Sequence, residues 1–172
     1  MDRKSAFVNP MCGSGTVAIE AALLATNRKP GLLRHNYAFM HLVNYDKEFY
    51  LNEFRILEQQ VIEVPGLKII ATDISEDAVN ISAVNAGIAG VEEMIEFGVC
   101  DFEETKLIEN ENGIVYFNPE YGDRLGVEAE LEITYKRMGD YLKKKCKGYT
   151  GLYFYRQFRT GKKDWLKTKT QD

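Results

Sequence analysis

Short apolar runs alternate along the chain with longer amphipathic or apolar stretches, and each predicts an element. Ala6-Phe7-Val8 is apolar and stops at a loop containing glycines, and Thr16 to Ala25 then reads as a buried helix. Arg28-Lys29-Pro30-Gly31 breaks it. Tyr50, Phe54, Leu57 and Val61 recur at i, i+4, i+7 and i+11, the stripe of an amphipathic helix. Pro65-Gly66 predicts a turn, and Leu67 to Thr72 a strand ending at Asp73. Ser75 is placed to cap a helix reaching Ala89, with Gly90 as its stop. Glu96 to Cys100 predicts a strand ending at Asp101, Gly113 to Phe117 one ending at Asn118, and Gly151 to Tyr155 a fifth. Between the last two, Leu131, Tyr135, Met138 and Leu142 mark one helix face. That helix closes on Lys143 to Lys145, where cations complement the helix dipole.

Strands alternating with helices predict an α/β fold, a mainly parallel, Rossmann-like sheet with helices on both faces. One such core is expected over residues 1–155. Residues 156–172 read as a polar, basic tail with no period and little packing.

Composition adds limits. A chain of 172 residues with 45% hydrophobic content supports one domain with a real core. A formal net charge of −4 argues against a surface that itself carries most of the affinity for a nucleic-acid backbone. It leaves room for a nucleic-acid substrate gripped by another domain. Cys12, Cys100 and Cys146 lie far apart with no paired metal spacing, so reduced thiols and no metal are expected. No apolar run approaches the roughly 18 residues of a membrane span, and no signal peptide precedes the first strand. The expectation is a cytoplasmic chain with no membrane partner.

The candidate chemistry sits at strand ends. The loop Asn9-Pro10-Met11-Cys12-Gly13-Ser14-Gly15-Thr16 brings two glycines to a helix N-terminus, where backbone can approach a ligand. It lacks the third glycine of a dinucleotide fingerprint, and its acidic partner lies 58 residues past Gly15 where about 20 are expected. Asp73 can accept both hydroxyls of a ribose and Asp101 an adenine amino hydrogen; alone, either acid reads equally well as a cap. As a pair after consecutive strands, next to Ile74 and Phe102, they describe a nucleoside site without phosphates. Its natural ligand is S-adenosylmethionine. Asn118 and Pro119 fix two carbonyl groups at a strand end, which can accept both hydrogens of an exocyclic amine and favour its pyramidal, nucleophilic form. Tyr121 offers a face for a flipped-out base, and Gly122 lets the chain turn away. No covalent nucleophile is required.

In order, NPMCGSGT, IEAA, ATDIS, NAGIAGV, FGVCDF and NPEYGDRLG resemble the class I methyltransferase domain of the bacterial ribosomal RNA guanine methyltransferases, over about residues 5 to 152. The resemblance implies methylation of a guanine exocyclic amine in large-subunit ribosomal RNA. It also implies an upstream RNA-binding THUMP domain. It places the cofactor loop on Pro10 to Thr16, the ribose acid on Asp73, the adenine-side acid on Asp101 and the catalytic tetrapeptide on Asn118 to Tyr121. Two residues depart from the family pattern: Asn9 stands where an aspartate is usual, and Glu120 where the tetrapeptide usually has a second proline. Relative to the family, the chain reads as truncated at both ends. The upstream domain, a segment covering the cofactor and a closing hairpin are absent from it, so an unpaired sheet edge and weak activity of the chain alone are expected. Alternatives are an adenine-amine DNA methyltransferase and a cofactor-binding module without turnover.

Overall fold

The computed structural model describes residues 5–108, 112–119, 128–153 and 167–169. Strand β1 (Ala6–Pro10) leads into helix α1 (Thr16–Ala25), and helix α2 (Lys47–Gln59) follows after two short 3-10 turns. Then come β2 (Ile69–Asp73), α3 (Glu76–Ala89), β3 (Ile95–Val99), β4 (Gly113–Phe117), α4 (Glu128–Lys145), β5 (Tyr149–Tyr153) and β6 (Lys167–Lys169). The sheet order is β3-β2-β1-β4-β5-β6; the first five strands are parallel and β6 is antiparallel. This is the Rossmann-like arrangement expected from the alternation of elements, with the chain reversing its direction of travel between β1 and β4.

Burial on both faces explains why the strands read as unbroken apolar runs rather than alternating ones. On one face Phe7, Ile69, Ala71 and Ile95 pack against Ala18, Ala21 and Ala22 of α1 and Ala86 and Ala89 of α3. The alanines let two helices lie close to the sheet and to each other. On the other face Val8, Ile70, Val115 and Phe117 pack with Met138 and Tyr141 of α4. Helix α3 begins as its sequence predicts. Ser75 Oγ accepts from the Ala78 N–H at 3.3 Å, and Gly90 closes the helix at φ 67°.

Residues 27–61 form a side excursion. Tyr50, Phe54 and Leu57 are the half-buried positions of α2, as their spacing predicts, yet no residue of that helix is fully buried. The excursion has its own aromatic cluster, with Tyr50 at 5.7 Å from Phe39 and 6.0 Å from Phe54 between ring centroids. Its neck is tied by Asn27 Nδ2 donating to the Gln60 carbonyl (3.0 Å) and the Ile62 N–H donating to the Thr26 carbonyl (2.9 Å).

The basic tail corrects one expectation. Lys167–Lys169 pairs antiparallel with Gly151–Tyr153, so this edge of β5 is covered rather than unpaired. Lys-Thr-Lys has no helical or core signal, but a three-residue edge strand needs only backbone pairing, and lysines suit an edge. Residues 154–166 and 170–172 lie outside the described residues.

Candidate active site

All four parallel strands from β3 to β4 end at the same edge, so Asp101, Asp73, the 11–15 loop and Asn118 come to one side of the sheet. The order Asp101, Asp73, loop, Asn118 follows the strand order. Ligands of open α/β sheets bind at this edge, where the connectivity reverses.

The loop is built from left-handed backbone. Met11 (φ 72°), Gly13 (φ 54°) and Gly15 (φ 82°) fold the chain into a tight turn, closed by the Gly15 N–H donating to the Cys12 carbonyl at 2.9 Å. Met11 is a non-glycine residue in that region and is held there by packing against the α4-side core. The Cys12 N–H donates to the Thr72 carbonyl at 2.8 Å, carrying the β1–β2 ladder into the loop. The Gly13 N–H donates to Asp73 Oδ2 at 2.9 Å, while Asp73 Oδ1 accepts from the Ser75 N–H at 3.0 Å. Asp73 therefore braces the loop against the start of α3, and among the described residues each oxygen keeps a second acceptor direction.

Helix α3 supplies two residues that sequence reasoning missed. Asn85 Nδ2 donates to the Ser14 carbonyl at 3.0 Å, and Ser82 lies where any side chain at Gly15 would run into it. Asn85 was legible only as part of the NAGIAGV string. Ser14 Oγ and Thr16 Oγ1 lie 3.3 Å apart on the exposed side of the loop. A Cβ at Gly13, by contrast, would meet nothing within 4 Å, so the outer side of the loop is open.

Between β1 and β4 the recorded pairing runs from Ala6–Gly113 to Val8–Val115. Pro10 has no N–H to extend it. Asn9 takes over: its Nδ2 donates to the Tyr116 carbonyl at 2.9 Å, and its buried Oδ1 has no partner among the described residues. An ionised aspartate could not make that donation, which gives the amide at this position a structural use.

Asp101 is the N-cap of a short turn and accepts from the Glu103 N–H at 2.9 Å. Arg137 of α4, which the sequence did not single out, bonds both of its oxygens at 2.8 and 2.9 Å. Burial works to raise the Asp101 carboxyl, but the Glu103 N–H and Arg137 outweigh it and hold the acid below the usual range. Phe102 points into the core, its ring edge-on to Phe117 and Tyr141. Ile74, beside Asp73, projects outward at 73% exposed. The Cys12 thiol, under the loop, is pushed up to about 11 by burial and then by the charge of Asp73. Asn118 is exposed just past β4, and Pro119 is buried. Glu120, Tyr121 and Gly122 lie outside the described residues.

A parallel sheet reversing between β1 and β4, a glycine-bearing loop after the first strand and acids after the next two define the Rossmann-like methyltransferase class. The chain belongs to the family described as UPF0020, RMKL-like, methyltransferase domain, which matches residues 1–161. It is 34% identical over 157 residues to a ribosomal RNA large subunit methyltransferase K/L from Vibrio parahaemolyticus, covering 89% of this chain and 22% of the relative. Among solved structures, the SMU.472 protein complexed with SAH superimposes with a TM-score of 0.80 at 27% identity, over 89% of this chain and 40% of the other. A Listeria monocytogenes protein named as a predicted N6-adenine-specific DNA methylase aligns with a TM-score of 0.78 at 30% identity, over 87% of this chain and 38% of the other. The chain thus spans about a fifth of the curated relative and two-fifths of these structural neighbours.

Proposed function

We propose that this chain is the S-adenosylmethionine-binding catalytic unit of a ribosomal RNA methyltransferase that modifies the exocyclic amine of a guanine. The observation that carries the reading is the shared edge: the open loop, Asp73, Asp101 and Asn118 stand in sequence along it. The residues fit the cofactor. The outer side of the loop has room at Gly13, and Asp73 keeps acceptor capacity for ribose hydroxyls. The exposed Ile74 side chain offers apolar cover to a purine. The buried Asn9 oxygen, which has no partner among the described residues, suits an ammonium donor. The family and the SAH held by the SMU.472 protein support the same assignment.

When bound, S-adenosylmethionine supplies an electrophilic methyl group on sulfur. The chain's own part is to hold and orient. The Asn118 amide oxygen and the Pro119 carbonyl accept the two amine hydrogens, which localises the nitrogen lone pair toward the methyl. Tyr121 stacks the extruded base. Such positioning, with fixed dipoles aimed at the developing charge, accounts for most of the rate enhancement in reactions of this kind.

With a net charge of −4, the chain has a poor surface for holding RNA phosphates, so the RNA grip belongs to another part of a longer cytoplasmic protein. A THUMP domain fills that role in the family this sequence resembles. The Listeria name favours a second reading, transfer to an adenine amine in DNA. Calorimetry with S-adenosylmethionine tests the cofactor, and no binding at millimolar ligand would overturn it. Product analysis of methyl transfer to RNA and DNA by a full-length relative carrying this segment tests the substrate. In that protein, replacing the equivalent of Asn118 by alanine should cut turnover at least about a hundredfold while leaving cofactor affinity nearly unchanged.

A further inference from the structure

Arg137 lies outside every motif, yet it ties α4 to the end of β3. Its Nη2 reaches Asp101 Oδ1 at 2.8 Å, Asp101 Oδ2 at 2.9 Å and Glu103 Oε2 at 2.7 Å, and its Nε reaches the same Glu103 oxygen at 3.3 Å. The guanidinium carbon stands 4.7 Å from the centroid of the Phe102 ring. That ring is itself fixed, edge-on to Phe117 at 5.7 Å and to Tyr141 at 6.0 Å between centroids. A planar guanidinium stacked on a buried, packed ring and bonded to two acids is restricted to a narrow range of orientations.

The consequence falls on Asp101. Its Oδ1 accepts two bonds, from the Glu103 N–H and from Arg137, and so is saturated. Its Oδ2 accepts only from Arg137 among the described residues and keeps one lone pair. Among the described residues the carboxylate therefore keeps one acceptor direction, on an oxygen tethered by Arg137, and that direction can only receive a hydrogen. We propose that Arg137 is the positioning residue for purine selection: by immobilising Asp101, it makes the site accept a 6-amino purine and reject a 6-oxo one. This rests on the reading that Asp101 faces the adenine of S-adenosylmethionine. A fixed acceptor meets the amino hydrogen of adenine but the oxygen of an oxo purine. A carboxylate free to rotate can instead find the N1–H of the oxo form. Retention of charge on Asp101, which Arg137 favours, works in the same direction.

The experiment is calorimetry with two ligands, S-adenosylhomocysteine and its inosine counterpart, on the wild-type chain, Arg137→Met, Arg137→Lys and Asp101→Asn. A site built to hydrogen-bond one group rejects its analogue strongly. The wild type should favour the amino ligand on the order of 100-fold, and Arg137→Met should reduce that ratio to below about tenfold, chiefly through better binding of the oxo form. Arg137→Lys should lie between, since an ammonium keeps the charge but sits on a flexible stem without a planar group to stack on Phe102; it carries the test if the Met variant does not fold. A ratio unchanged in both Arg137 variants but lost in Asp101→Asn would overturn the positioning role. A ratio unchanged in Asp101→Asn would overturn the placement of adenine against Asp101, and with it the reading beneath.

Discussion

The Gly13 N–H and Asp73 Oδ2 are joined at 2.9 Å across 60 residues of sequence, so the proposed ribose acid is also a strut of the proposed cofactor loop. Asp73→Ala removes both the strut and the ligand's acceptor. Cofactor affinity should fall by about 1–3 kcal/mol, the range for loss of charge-assisted hydrogen bonds. Calorimetry on the two proteins checks this; equal affinities would show that Asp73 serves the loop alone.

Gly15→Ala should destabilise the fold. Its φ of 82° is a region where a side chain costs about 1–3 kcal/mol, and the new Cβ would also overlap the Ser82 side chain. Thermal melts should show a loss larger than the backbone cost alone. Measured against Ser82→Gly alone, so that the helix cost of that glycine is common to both proteins, Gly15→Ala should lose most of the steric part and keep the φ penalty. Full recovery would mean that the backbone strain is negligible.

Stability should carry an acid-side signature of the Arg137–Asp101 pair. The Asp101 carboxyl sits below its ordinary value because the Glu103 N–H and Arg137 overcome the effect of burial. A depressed acid contributes stability that is fully present above its unfolded pKa, about 3.9 for aspartate. That contribution is lost as the pH falls through the lower folded value. The difference in melting temperature between wild type and Arg137→Met should therefore be constant above about pH 5 and shrink in stronger acid. A difference that grows on acidification would contradict the pairing.

Thiol chemistry separates the three cysteines. Cys12 and Cys146 are buried, and burial first of all pushes both thiols up to about 11. Little thiolate is then present near neutrality. Cys100 is only half-buried. A disulfide reagent at pH 7.5 should label Cys100 first, with Cys12 and Cys146 reacting only as the protein unfolds. Rapid labelling of Cys12 in the folded chain would mean that the loop opens readily.

Much of this was readable from the chain alone, and the exceptions share a cause. Helix α1 and strand β4 fall where their apolar runs predict, because Thr16 to Ala25 and Gly113 to Phe117 are bounded by strong breakers. Strand β2 starts two residues later than its apolar run: Leu67 is spent on the turn, its N–H donating to the Val64 carbonyl. The strand-end polar residues stood out because each stops an apolar run. Arg137, Ser82 and Asn85 did not, since each sits on a helix where a polar residue ordinarily means solvent. Their partners lie 36, 67 and 71 residues away in sequence, at Asp101, Gly15 and Ser14. Only the packing of α4 and α3 onto the strand ends makes them part of the site. Tyr141 escaped the stripe of α4 in the same way, although it is buried and donates to the Thr105 carbonyl at 3.1 Å.

The tied neck of the 27–61 excursion has an engineering consequence. Its two ends already meet, through the bonds from Asn27 to Gln60 and from Ile62 to Thr26, and its aromatic cluster is largely its own. It behaves as a cassette hung on the sheet rather than a span of it. A direct splice of the 26 and 62 positions by a short glycine linker would sacrifice Leu33's contact with the core and leave every strand register in place. The neck lies between the end of α1 and the start of β2, away from the strand ends that carry Asp73 and Asn118, so a reporter or an RNA-gripping module exchanged for the excursion would join the fold there.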